Sequence, residues 1–242
     1  MHLILTGATG LVGSAVLQNM LAMKEVTRIS ILSRRPVPMA EGHEDKAKVI
    51  IHKDFNTYDA ALLEELKGAH GCVWALGISV TQVSKPDYIK ITHDYTLAAA
   101  KAFSTLSPDS PFTFVYVSGE GATTDPGIFT PFFGKIKGQA EAALLAFHKS
   151  NPNFRPYSLR PAGVDPTAHS EIHSFMPKQP AFNSIALRVL RPTMSSMISP
   201  TKDLGRVLTE LALSQGDTLE GKGIGGEGRT ISNIGFRRIA KI

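Results

Sequence analysis

The segment Thr6-Gly7-Ala8-Thr9-Gly10-Leu11-Val12-Gly13 constrains this 242-residue chain more than any other. Its glycines fall at G-x-x-G-x-x-G spacing, after an apolar run from His2 to Thr6. They open a stretch with apolar residues near helical intervals, at Val12, Ala15, Val16, Met20 and Met23. The run predicts a buried strand and the stretch a helix. At such a turn the first glycine permits a tight bend, the second lets backbone approach a pyrophosphate, and the third lets helix pack closely on strand. The amides that start the helix then face the phosphates. The first 23 residues carry no Asp, Glu, Lys or Arg. Even so, they match neither a membrane span nor a secretory signal. No basic residue precedes the apolar ones, and Thr6, Thr9, Ser14, Gln18 and Asn19 interrupt them.

Further strands are expected at Arg28 to Ser33, Lys48 to His52, Gly71 to Leu76, Phe112 to Val117 and Phe154 to Arg160. Helices are expected at Tyr58 to Leu66, Asp87 to Thr105, Pro131 to Ser150 (with the proline in the first turn) and near Lys202 to Leu213. This alternation predicts βαβ units. The fold class is α/β, a Rossmann-type doubly wound, mostly parallel sheet of six or seven strands with helices on both faces. One domain, 1–242, accounts for the length. Within it, 163–200 reads as a small irregular substrate-side insertion over the carboxyl ends of the strands. There Phe175, Met176, Phe182, Met194 and Met197 suggest an adaptable apolar pocket wall, or simply the core under that segment. The glycine-rich stretch 221–229 reads as a flexible loop.

The second strand bears on the kind of dinucleotide. An NAD site places an acid about 20 residues past the glycines to hold the ribose 2′-OH. Here that place is Ser33, followed by Arg34 and Arg35. A hydroxyl and two guanidiniums suit a 2′-phosphate, so NADP(H) is expected over NAD(H). The alternative is an idle, solvated basic turn. Asp54, after the third strand, stands where it could accept from the adenine amino group or cap the turn that begins at Phe55. Ala75, Leu76 and Gly77 end the fourth strand and would line the cofactor's ribose side.

The net charge of +5 is mild and spread along the chain. It fits a small anionic ligand, and no nucleic-acid partner is expected. A lone cysteine, Cys72, excludes a disulfide framework and agrees with a reducing, cytoplasmic compartment. Three patterns are set aside. Gly216 to Gly223 resembles a P-loop but lacks its Ser/Thr and follows a helix. His169 and His173 flank Glu171 in the order HSEIH, which reads as a surface loop without a third metal ligand. Arg229, Arg237, Arg238 and Lys241 read as a solvated tail.

Together TGATGLVG (6–13), LSRRP (32–36), ALG (75–77), KITHDYTLAAAKA (90–102), VYVSGEGA (115–122), KIKGQAE (135–141) and LRPAGV (159–164) resemble the short-chain dehydrogenase/reductase superfamily. Within it the chain is most similar to the atypical nucleoside-diphosphate-sugar-epimerase-like members, akin to the Tat-interacting oxidoreductases. The resemblance implies that Phe55, Pro161 and Val164 join the cofactor-binding set. It also implies a small-molecule substrate and leaves room for a homodimer. The superfamily uses Tyr as acid–base, Lys four residues later on the same helix face, and Ser to bind the substrate oxygen. Lys137 matches the lysine, but Phe133 stands where the tyrosine belongs. Ser118 matches a serine at the strand end, and Gly119 replaces the second serine usual there. Lys137 could still hold the nicotinamide ribose. Water, Tyr116 or Glu120 could replace the phenol, although Tyr116 fits core packing better. The chain therefore reads as an NADP(H)-binding oxidoreductase or isomerase. The alternatives are a catalytically silent NADP(H) sensor and a non-redox isomerase or cyclase.

Overall fold

The structure, a computed structural model, describes residues 1–178 and 194–242. Its centre is a sheet in the order β3-β2-β1-β4-β5-β6-β10-β9. The strands are β1 (His2–Thr6), β2 (Arg28–Ser33), β3 (Ala47–Ile51), β4 (Gly71–Trp74), β5 (Phe112–Val117), β6 (Phe154–Leu159), β9 (Ile224–Gly225) and β10 (Thr230–Ile231). All pairings are parallel except β9 with β10. Strand order reverses between β1 and β4, which opens a crevice at their carboxyl ends.

The strands read as continuous apolar runs because both faces are covered. Successive residues alternate between two cores. Leu3 and Leu5 pack with Val16, Met20, Leu204 and Leu208 on one face. Ile4 packs with Trp74, Phe103, Phe114 and Phe154 on the other. The first face carries α1 (Leu11–Ala22), α6 (Thr201–Leu213) and α7 (Asn233–Ala240). Helix α1 is apolar nearly all round because it lies between the sheet and α6. The second face carries α2 (Ala60–Leu66), α4 (Tyr95–Phe103) and α5 (Phe132–Ser150). Asp59 caps α2 by accepting from the Leu62 amide at 2.8 Å.

Several expectations are corrected. The helix expected over 87–105 begins earlier, as α3 (Lys85–Ile89), capped by Ser84 with Pro86 in its first turn. It then passes through a π-helical turn at Lys90–Asp94 before α4. Pro131 is the N-cap of α5 and lies outside its first turn. The glycine-rich stretch 221–229 is part of the sheet edge, through β9 and its hairpin to β10, which raises the count to eight strands. Segment 163–200 contributes β7 (Gly163–Asp165) and β8 (Ile198–Pro200), a separate parallel pair. Phe182 lies outside the described residues.

Of the basic carboxyl-terminal residues, Lys241 is exposed as expected, but the three arginines are engaged by backbone carbonyls. Arg229 is buried and donates to Gly216 O at 2.9 Å. Arg237 donates to Ile198 O at 2.9 Å, and Arg238 to Glu220 O at 2.6 Å. Each guanidinium donates to a backbone carbonyl. His169 is likewise buried rather than in a surface loop, with its ring nitrogens on Thr201 Oγ1 and Gln18 Oε1. Among the described residues no helix is long and apolar enough to cross a membrane, and no cluster of His, Cys, Asp or Glu could hold a metal.

Candidate functional site

The glycine turn lies at the crevice. Gly7 has φ +69°, and a Cβ there would sit 2.2 Å from Ala75 O. A Cβ on Gly13 would sit 2.0 Å from Gly7 O. Both contacts are backbone on backbone, so no side chain can yield. Gly10 is different: among the described residues beyond its own helix and neighbours, its Cβ position meets Gly7 O alone, at 3.2 Å. Gly10 is also the N-cap of α1, and no side chain caps that helix. The amides beginning at Leu11 and Val12 thus open into a cradle shaped for a phosphate, and the residues present fit a dinucleotide.

Some of the residues expected to bind a cofactor lie near this turn, and others do not. Arg34 and Arg35 are exposed at the end of β2. Arg35 reaches back across the turn, its Nη2 donating to Thr9 Oγ1 at 3.2 Å. Ser33 is buried, and its Oγ accepts from the Arg35 amide at 3.3 Å, which shapes the basic turn. Arg34, Phe55, Leu76, Gly77 and Tyr95 line one hollow beside it. Thr6 Oγ1 holds the Leu76 amide at 3.2 Å, fixing the end of β4 against β1. Asp54 closes its own turn, accepting from the Asn56 amide at 3.0 Å. Val164, on β7, packs against the core of the α1 face.

A second cavity, of about 550 Å³, follows along the carboxyl ends of β4 and β5. Ile78, Val80, Phe133, Pro161, Ala162 and Met197 give it apolar walls. Tyr88, Glu120 and Lys137 bring polar groups. Phe133 and Lys137 share one face of α5, as their spacing requires. Lys137 Nζ donates to Ser118 O at 2.5 Å. Burial pulls its pKa down to about 8, with the negative Glu141 opposing.

The serine is the main departure from expectation. Ser118 is buried, and its hydroxyl donates to Glu141 Oε1 at 2.5 Å instead of facing the cavity. Glu141 is fully buried, one turn beyond Lys137 on α5, and its second demand is met by Arg160. Arg160 Nε lies 3.0 and 3.2 Å from the two carboxylate oxygens. The carboxylate thus has a charged partner and a hydroxyl donor, as a buried charge must. Tyr116 packs in the core, where burial pushes its phenol well up, so it offers no proton to the cavity. Of the apolar residues expected to wall the pocket, Met197 does so. Met176 packs on the core, and Phe175 lines a separate hollow beside α1.

Sequence reasoning did not single out Arg160 or Asn233. The Asn233 amide donates to Glu120 Oε2 at 3.1 Å, and its side-chain oxygen accepts from Ser199 Oγ at 2.6 Å. This ties the loop after β5 to α7 and β8. Its partners lie far apart in sequence, and no local spacing signals them. Glu141 had a signal, since it stands four residues after Lys137.

No protein-family model matches the chain. It is 33% identical to leucinostatins biosynthesis cluster protein T of Purpureocillium lilacinum, over 98% of this chain and 94% of that one. Among solved structures it is similar to a short-chain type dehydrogenase/reductase from Mycobacterium ulcerans. That likeness has a TM-score of 0.67 at 16% identity and covers 97% of this chain and 89% of the other. It is also similar to FolM alternative dihydrofolate reductase 1 from Brucella canis, solved in complex with NADP. There the TM-score is 0.64 at 12% identity, over 98% and 94% of the two chains.

Proposed function

The chain belongs to the family of leucinostatins biosynthesis cluster protein T, on the fold of the short-chain dehydrogenases/reductases, and we propose that it is an NADP(H)-dependent oxidoreductase. Its substrate is a small carbonyl or hydroxyl compound within a biosynthetic sequence. The observation that carries this reading is Arg35 bonded to Thr9 within the glycine turn, with Arg34 lining the hollow beside it. Backbone amides at Leu11 and Val12 would take the pyrophosphate, and the two guanidiniums the 2′-phosphate. Phe55, Leu76 and Gly77 would flank the adenosine. Lys137 and Pro161 border the space for the nicotinamide riboside. The bound dinucleotide would supply hydride chemistry, and the largely apolar 550 Å³ cavity would seat the substrate.

Calorimetric titration with NADPH and NADH tests this directly. Arg34→Ala and Arg35→Ala should each weaken NADPH binding by about tenfold to a hundredfold, the worth of one or two charge-assisted hydrogen bonds. NADH binding should barely move. Absence of NADPH binding by the wild-type chain at sub-millimolar concentration sinks the proposal.

A second reading has its own support. Phe133 supplies no proton, and the Ser118 hydroxyl is held by Glu141, as suits a silent NADP(H) sensor. That reading expects tight NADPH binding without turnover of any member of a carbonyl panel.

A further inference from the structure

Two side chains are missing around one amine. Phe133 lacks the phenol, and Gly119 lacks any side chain. A Cβ on Gly119 would stand 3.6 Å from Lys137 Nζ and 3.7 Å from its Cδ, in ordinary contact. The glycine therefore leaves the end of the lysine uncovered, and Lys137 lines the same cavity as Gly119 and Phe133. The nearby hydroxyls are engaged or buried. Ser118 donates to Glu141, and Tyr116 lies in the core.

We propose that Lys137 is itself the proton donor to the substrate's carbonyl oxygen, in place of the missing phenol. The inference rests on the reductase reading above. As the carbonyl carbon gains a hydride from the reduced nicotinamide, its π pair moves to oxygen and the ammonium delivers one proton there. The carbonyl becomes an alcohol, and the nicotinamide is oxidised by two electrons. The neutral amine then regains its proton from water. In the oxidative direction the neutral amine accepts the hydroxyl proton.

The surroundings suit an ammonium that gives up a proton near neutral pH. Glu141 faces it from the same helix, but that carboxylate is paired with Arg160 at the end of β6. From other elements, Glu120 on the loop after β5 and Tyr88 on α3 border the cavity. Glu120 is engaged by the Asn233 amide, and burial pushes the Tyr88 phenol up. Burial thus outweighs the remaining attraction and holds the ammonium at about 8, where it is a far better acid than an ordinary lysine.

The test uses the full chain labelled with ¹³C at the lysine side chains, with Lys137→Arg to assign the resonance. The Lys137 signal should titrate near pH 8, while exposed lysines move near about 10.4. With a carbonyl panel, the rate of NADPH oxidation should fall above the same midpoint. Lys137→Arg should cut the rate at every pH, because a guanidinium keeps its proton and donates none. Lys137→Met should cut turnover at saturating NADPH by about a hundredfold or more. A Lys137 midpoint equal to that of exposed lysines overturns the inference. So does a Lys137→Met rate within about threefold of wild type, far short of what loss of an acid–base removes. Failure of the wild type to bind NADPH overturns the parent reading along with this one. NADPH binding with an ordinary lysine midpoint overturns this one alone.

Discussion

At the glycine turn, backbone meets backbone. At the α5 wall, side chain meets side chain. Gly7, Gly13 and Ala75 approach so closely that a single added methyl would overlap a carbonyl oxygen. Lys137, Ser118, Glu141 and Arg160 instead form a chain of hydrogen bonds and one ion pair. The first arrangement tolerates only one residue type. The second tolerates any set that keeps its charges satisfied. The glycine turn is therefore fixed in residue type, whereas the α5 wall can vary so long as its polar groups satisfy one another.

The contrast can be broken from the cradle side with the largest effect. Gly13→Ala should cost about 3 kcal/mol or more, since neither the turn nor α1 can retreat. Denaturant unfolding should show a lower midpoint, and NADPH binding should vanish. On the wall, Glu141→Ala should cost about 3–5 kcal/mol by leaving Arg160 unpaired beside a buried void. Glu141→Gln, which keeps an acceptor for Ser118, should cost less. An equal loss for both variants in the same unfolding assay would mean that shape rather than charge holds the wall.

Smaller effects appear with pH, and their signs differ from those of an ordinary ion pair. Lys137 titrates at about 8 when folded and near about 10.4 when unfolded. Between those values the unfolded chain binds the extra proton, so stability should rise with pH across that window. Lys137→Met should abolish the rise. His2 is buried with its Nε2 at 2.8 Å from Ser30 Oγ. Burial foremost, then the charges of Arg28, His70 and the amino terminus, pull its pKa down to about 4 from 6.5. Its contribution is present above pH 6.5 and is lost as pH falls through that window to 4. Thermal unfolding across pH 4–7 of wild type and His2→Gln measures it. The smallest effect is expected of Phe133→Tyr. The ring's Cζ lies 3.4 Å from where a Gly121 Cβ would stand, so the glycine leaves room for a hydroxyl. Turnover should change by less than about tenfold, the low side of what a general acid contributes, if Lys137 already serves as donor.

The two regions also differ in how well the sequence reveals them. A backbone demand leaves a glycine at a fixed place, so the cradle, β1, α1 and the basic turn at Arg34 and Arg35 are legible from spacing alone. Arg34 and Arg35 could be read as a pair because an acid is missing where one would otherwise stand. The α5 wall is legible only in part. Phe133 and Lys137 fall out of helical spacing. The direction of the Ser118 hydroxyl does not, because nothing local says that Glu141 and Arg160 will meet beside it. The carboxyl-terminal arginines fail for the same reason. Their acceptors are carbonyls at Gly216, Ile198 and Glu220, brought near only by the finished sheet. The hairpin at 224–231 hides among glycines that look like slack chain.

The sheet order also carries a consequence in time. β1 to β4 lie consecutively along the first third of the chain, and β2, β3 and β4 each pair with a strand already synthesised. β6 is made next to β5, but its other edge is closed only by Thr230 and Ile231. A growing chain can therefore assemble the glycine turn and its flanking strands early. It must then carry an open β6 edge until Arg229 and β10 have been made. The step that completes the molecule is thus the arrival of a few basic residues and a two-residue strand, and the slowest contacts to form should be those of long sequence separation at that edge.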